Sequence, residues 1–134
     1  MKVFIDTNVI ISAILNPQGT PYKAFVKAVT SPNQGIICQQ NVEELQRIFQ
    51  KKFPSKLPAL QKFFENVTPN LKIIPTSQIE LAVEKEIRDT KDRPILRSAI
   101  ETKAEVLLTG DKDFLESDCK NIQIYDPAKF MLID

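Results

Sequence analysis

A chain of 134 residues, 43 % apolar and 26 % charged, has a globular composition and enough length for one domain, spanning residues 1–134. Basic and acidic side chains nearly balance, 18 against 17, so net charge neither demands nor excludes nucleic acid. Histidine is absent, which excludes Ser-His-Asp nucleophile activation, histidine acid–base chemistry and histidine metal sites; catalysis would fall to carboxylates, lysine, hydroxyls or a hard metal ion.

Lys2 to Ile5 reads as a short buried strand, and Asp6 stops it. Thr7-Asn8 then opens an apolar run from Val9 to Leu15, too short to span a membrane and suited to a buried first helix. Asp6 interrupts the apolar stretch too early for a signal peptide, so residence in the cytoplasm is expected. Asn16 to Gly19 is a loop, and Pro21 starts a second helix with Phe25, Val26 and Val29 at helical spacing. A second strand follows at Gly35 to Cys38. Asn41 and Glu44 have the spacing of a capping box for a third helix, with Val42, Leu45, Ile48 and Phe49 as its buried stripe. On that helix Glu44 flanks the stripe and Glu43 points to water. Arg47, Lys51, Lys52, Lys56 and Lys62 follow with no acidic residue between Gln46 and Phe64, either as a solvated face or as a phosphate-binding one. Pro54 and Pro58 bracket a break before a helix over Leu57 to Val67, and Leu71 to Ile74 is a third strand. Thr76 to Lys91 reads as an irregular connection. Asp92, with Pro94 in the first turn, opens a helix buried through Ile95, Leu96, Ala99 and Ile100. Val106 to Thr109 is a strand, Gly110 to Phe114 a tight turn into a helix, and Ile122 to Tyr125 a last strand before a terminal helical stub at Asp126-Pro127. Cys38 and Cys119 have no metal spacing and read as reduced thiols.

The alternation of strands and helices predicts an α/β fold with a central parallel sheet of four or five strands and helices on both faces, three layers in all. Asp6, Glu44, Asp92 and Asp111 then fall at helix openings or strand exits, which share one edge of such a sheet. Each has an ordinary reading as a cap or turn residue. Converging at one edge, four carboxylates would repel one another strongly unless a cation joined them. All-oxygen ligands without histidine select Mg²⁺ or Mn²⁺ over Zn²⁺, while Asp111-Lys112-Asp113 lacks the glycine and later ligands of an EF-hand loop.

Four stretches carry a family resemblance: Phe4-Ile5-Asp6-Thr7-Asn8-Val9, Glu44-Leu45, Arg88-Asp89-Thr90-Lys91-Asp92, and Leu108-Thr109-Gly110-Asp111-Lys112-Asp113-Phe114. In this order they resemble the PIN-domain family, and more closely its VapC-like branch of toxins from toxin–antitoxin systems. The resemblance implies a PIN-like α/β/α fold and a metal-dependent ribonuclease. It implies that Asp6, Glu44, Asp92 and Asp111 are the acidic metal-binding and catalytic quartet, with Asn8, Ser12 and Asp113 at second rank; Thr109 and Asn8 would position ligands by hydrogen bonds. RNA, a small antitoxin protein and a second copy of the chain, in a homodimer, are the partners it implies. Two positions depart from the branch: Thr90 stands where proline is common and Arg93 where a small polar residue is. Lys51, Lys52 and Arg93 are the basic residues considered for contact with RNA. Two other functions fit the same residues: a catalytically silent RNA-binding or scaffold module, and a phosphatase with Asp6 as nucleophile, although Asn8 replaces the second aspartate such phosphatases carry.

Overall fold

The computed structural model describes Met1–Ile133, Thr68 by its backbone alone. Strand β1 (Lys2–Ile5) lies at the centre of a five-stranded sheet ordered β3-β2-β1-β4-β5, with β2 (Gln34–Cys38), β3 (Leu71–Ile74), β4 (Val106–Leu108) and β5 (Gln123–Tyr125). Every pairing is parallel: Phe4 stands opposite Ile36 on one side and Leu107 on the other. The strands are continuously apolar because both sheet faces are covered, and successive side chains divide between the faces. Val3, Ile5, Ile37, Val106 and Leu108 join the core under α1 (Thr7–Leu15), α2 (Thr20–Val29), α3 (Gln39–Lys52), α4 (Leu57–Val67) and α7 (Pro127–Leu132). Phe4, Ile36, Cys38 and Leu107 join the opposite core under α5 (Arg93–Glu101) and α6 (Lys112–Leu115). This is the three-layer α/β/α architecture expected from the sequence.

The connections run from β1 outward to β2 and β3, then return past β1 to β4 and β5. The direction reverses between β1 and β4, and a parallel sheet opens a crevice there at its carboxyl edge. Among the described residues no helix is long and apolar enough to cross a membrane.

Two local expectations are corrected. Helix α3 starts at Gln39, two residues before Asn41, because β2 runs straight into it through Cys38. Asn41 is therefore inside the first turn, where its Oδ1 accepts the Cys38 N–H at 2.8 Å, and no Asn41–Glu44 capping box forms. On α2 the buried face is Ala24, Phe25 and Ala28, while Val26 is exposed. The stretch from Thr76 to Lys91 is irregular, as expected, apart from a 3-10 turn over Ala82–Glu86 and the start of another at Thr90–Asp92. Both cysteines are free thiols, Cys38 buried and Cys119 partly so.

Candidate active site

Asp6 caps α1 at the carboxyl end of β1, only 5 % exposed. Its Oδ1 accepts the Thr7 N–H at 2.8 Å. Its Oδ2 accepts the Thr109 hydroxyl at 2.8 Å and the Asn8 amide at 3.3 Å. Thr109, fully buried just past β4, also accepts the Asp111 N–H at 3.0 Å, and Asn8 Oδ1 accepts the Gly110 N–H at 3.0 Å. Asn8 and Thr109 thus stitch the ends of β1 and β4 across the crevice. Glu44 reaches the same edge from α3: its Oε1 accepts the Thr7 hydroxyl at 2.9 Å, and Asn41 Nδ2 donates to that hydroxyl at 3.0 Å.

Asp92 ends the 3-10 turn before α5, and its side chain caps nothing. Asp111 caps α6 by accepting the Asp113 N–H at 2.9 Å. Asp92, Asp111 and Asp113 each present a carboxylate oxygen, and the three atoms lie within 4.8 Å of one another. Asp113, expected at second rank, stands in this trio, while Asp6 and Glu44 of the expected quartet do not; Asp6 is near enough for its charge to act on Asp92.

The charges are under-compensated. Burial, then the fields of Asp6, Asp111 and Asp89 and a hydrogen bond with Asp111, push Asp92 up to about 7. Burial also pushes Asp6 up to about 6; the Thr109 hydroxyl and Thr7 N–H oppose it, and Glu44 and Asp111 add to it. Glu44 is raised by burial, against the pull of the Thr7 hydroxyl and of Arg47, with Asp89 raising it further. Three carboxyls are raised together, each chiefly by burial and further by its acidic neighbours, so the site favours protonation or the approach of positive charge.

The remaining candidates lie further out. Ser12 is exposed on α1, and among the described residues its side chain makes no hydrogen bond to the carboxylates. Lys51 and Lys52 are exposed at the end of α3. Lys51 is two turns from Glu44 on the same stripe as Arg47, about 10 Å along the axis at 1.5 Å per residue. Arg93 Nε donates to the Ile87 carbonyl at 3.0 Å, which ties it to the connection before α5. Thr7, Asn41, Arg88 and Asp89 also lie at or beside the site, though none is among the site residues expected from sequence. Asp89 carried a signal, an acidic residue one turn before Asp92; for Thr7 and Asn41 the contact exists only across α1 and α3.

Residues 2–113 match the family model described as PIN domain. The chain belongs to the PIN-domain family. A protein of Methanocaldococcus jannaschii, described as uncharacterized, is 32 % identical to this PIN domain over 140 aligned residues, covering all of this chain and 81 % of the relative. A chain in the crystal structure of VapBC2 from Rickettsia felis bound to a promoter DNA fragment superposes with a TM-score of 0.70 at 22 % identity, covering 94 % of this chain and 98 % of the other. DNA-bound VapBC from Salmonella typhimurium gives 0.69 at 18 % identity, over 95 % and 98 %, and FitAcB from Neisseria gonorrhoeae 0.66 at 21 %, over 94 % and 98 %. At these identities the likeness is one of fold. The family is one of nucleases.

Proposed function

We propose that this PIN domain is a Mg²⁺- or Mn²⁺-dependent endoribonuclease, the toxin of a toxin–antitoxin pair. The observation that carries the reading is the Asp92–Asp111–Asp113 trio at the β1/β4 crevice, backed by Asp6 and Glu44 in a chain without histidine. The donor set fits a hard divalent cation: every candidate ligand is a carboxylate, and oxygens within 4.8 Å of one another need only a small inward side-chain rotation to converge on one ion whose ligands sit about 2.0–2.1 Å from its centre. Asp92, Asp111 and Asp113 would hold it, with Asp6 and Glu44 beside them. A divalent cation held there supplies the means of activating water near neutral pH and of stabilising charge in an in-line displacement at phosphorus.

The chain's own residues divide the remaining work. Thr109 and Asn8 hold Asp6 in one rotamer, and Thr109 fixes the turn that aims Asp111. Thr7 occupies one Glu44 oxygen, leaving the other to orient water or a ligand. An aspartyl phosphatase is the weaker reading, because Asn8 stands where such enzymes carry the second aspartate and its amide, which donates to Asp6 Oδ2, cannot serve as the general acid. The antitoxin reading is supported by solved structures of the same fold, which are VapBC and FitAB assemblies; a homodimer and residence in the cytoplasm belong to the same proposal.

The test is single-turnover cleavage of single-stranded and structured RNA with Mg²⁺, Mn²⁺ or EDTA, by the parent and by Asp92→Asn. Asp92 is the cleanest site for it, because its side chain caps no helix. EDTA should abolish cleavage. Asp92→Asn should lose more than about a hundredfold in rate, beyond what a merely supporting contact costs a metal site, with its thermal melt preserved. Cleavage that survives EDTA, or a fully active Asp92→Asn, would sink the assignment.

A further inference from the structure

The connection between β3 and α5 brings one cation to the carboxylates. Arg88 Nη2 donates to Asp113 Oδ1 at 2.6 Å, and among the described residues no other lysine or arginine forms an ion pair with Asp6, Glu44, Asp92, Asp111 or Asp113. The backbone beneath Arg88 is fixed on both sides. Ile87 is fully buried and its carbonyl takes the Arg93 Nε, while the Asp89 carboxylate accepts the Lys91 N–H at 3.0 Å. The Arg88 side chain itself is 86 % exposed. A pinned base thus carries a long, solvent-facing arm whose tip rests on one of the three clustered carboxylates.

That contact is exchangeable. An ion pair this exposed is held weakly, and Asp113 cannot give its full charge to a guanidinium and to a divalent ion at once. The rest of the edge is acidic, so a polyanion arriving there meets repulsion wherever no cation faces it. A guanidinium presents paired N–H donors in a plane that matches two phosphate oxygens, which an ammonium cannot do. We propose that Arg88 is a substrate-binding residue with two alternate partners: Asp113 while the carboxylates lack a cation, and a phosphate of the RNA backbone once they hold one. The assignment rests on the nuclease reading above. It adds a specific residue to it, one reached from Asp113 rather than from the basic run on α3.

The experiment compares the parent, Arg88→Ala and Arg88→Lys as full chains. Mn²⁺ alone is titrated without RNA, and single-turnover cleavage of a single-stranded RNA oligonucleotide in Mn²⁺ is followed against protein concentration at two salt concentrations. Arg88→Ala should raise the half-saturating concentration about tenfold, in keeping with a lost charged hydrogen bond, and reduce the salt slope by about one contact. Its saturated rate should stay within about threefold of the parent, since the carboxylates are untouched. Its Mn²⁺ affinity should be equal or a few-fold tighter, because a competitor for Asp113 has gone. Arg88→Lys should restore the salt slope but only part of the RNA affinity. Parental half-saturation and salt slope in Arg88→Ala would overturn the proposal, as would weakened Mn²⁺ binding, which would make Arg88 a support of the cluster. If the parent itself neither binds Mn²⁺ nor cleaves RNA, the nuclease reading falls and this one with it. If the parent is active and Arg88→Ala matches it, only the Arg88 assignment falls.

Discussion

Asp6 does two jobs whose requirements differ. As a helix cap it needs an oxygen, which asparagine would also supply to the Thr7 N–H. At Oδ2 it needs an acceptor, because the Thr109 hydroxyl and the Asn8 amide both donate there. Asp6→Asn turns an NH₂ toward the Asn8 amide, donor against donor, so it should cost about 1–3 kcal/mol, the range for a buried polar group left unmatched. Urea melts of Asp6→Asn and Asp92→Asn at pH 7 would show it: both relieve a buried charge, but only the first creates the donor clash, so it should be the less stable of the two, although both lose cleavage. Equal stability of the two would mean that the Thr109 and Asn8 contacts contribute nothing. Asp6 was legible in the sequence because it ends an unmistakable strand. Its dependence on Thr109 was less so, since the two residues are 103 positions apart and meet only through strand pairing.

At the scale of elements, the least regular stretch matters most to the site. The residues from Thr76 to Lys91 have neither helical nor strand periodicity, because their order comes from single polar contacts rather than from a repeating apolar face. Arg97 on α5 grips Glu84 with two hydrogen bonds, at 2.6 and 2.8 Å, and the Ser77 carbonyl with a third at 3.1 Å. The Ser98 hydroxyl accepts the Ser77 N–H at 2.9 Å. These bonds fasten the connection to α5, whose first turn follows Asp92. Arg97 could not be read as a partner from sequence, since a charged residue on the buried side of a helix looks like an error in the pattern until its carboxylate is found. The same blindness produced the mistaken capping box at Asn41: the spacing was right, but β2 ran into α3 with no loop between them.

The Glu84–Arg97 pair makes a pH prediction. The Arg97 hydrogen bonds hold Glu84 down to about 2, from an ordinary 4.5, against the opposing effect of burial. A carboxyl depressed by folding stabilises the protein above its unfolded value and loses that contribution as pH falls toward its folded value. Parent and Glu84→Gln should therefore differ by about 3 kcal/mol in urea melts at pH 7, a loss typical of breaking a buried pair. The gap should narrow between pH 4.5 and 2. The other carboxylates are common to both proteins and cancel in the difference. A gap unchanged at pH 3 would show that Glu84 acts by packing and not by charge.

For the whole molecule, the architecture was the most legible feature. Alternating apolar strands and amphipathic helices leave few arrangements open, and a parallel sheet covered on both faces is the one adopted. The state of assembly was not legible in the same way, because self-association adds no periodicity to a chain. The proposed homodimer is measurable by sedimentation equilibrium across a hundredfold range of concentration, where a two-fold dimer should give twice the chain mass. A monomer throughout would remove the dimer from the proposal and leave the carboxylates as they are.

The pairing of β1 with β4 has a consequence for the protein while it is being made. Val3 finds Val106 and Ile5 finds Leu108 across almost the whole chain, so the first strand synthesised must wait for one of the last before its second neighbour exists. Contacts this distant in sequence form late, since a long loop must close first. A nascent chain halted before residue 106 has β1, β2 and β3 in hand, and Glu44 and Asp92 among its side chains. It lacks Thr109 to hold Asp6, and both Asp111 and Asp113. For an enzyme proposed to cut RNA, the order of the strands thus acts as a safeguard at the ribosome: fragments left by interrupted translation carry no assembled site, and the hazard begins only with a nearly finished chain.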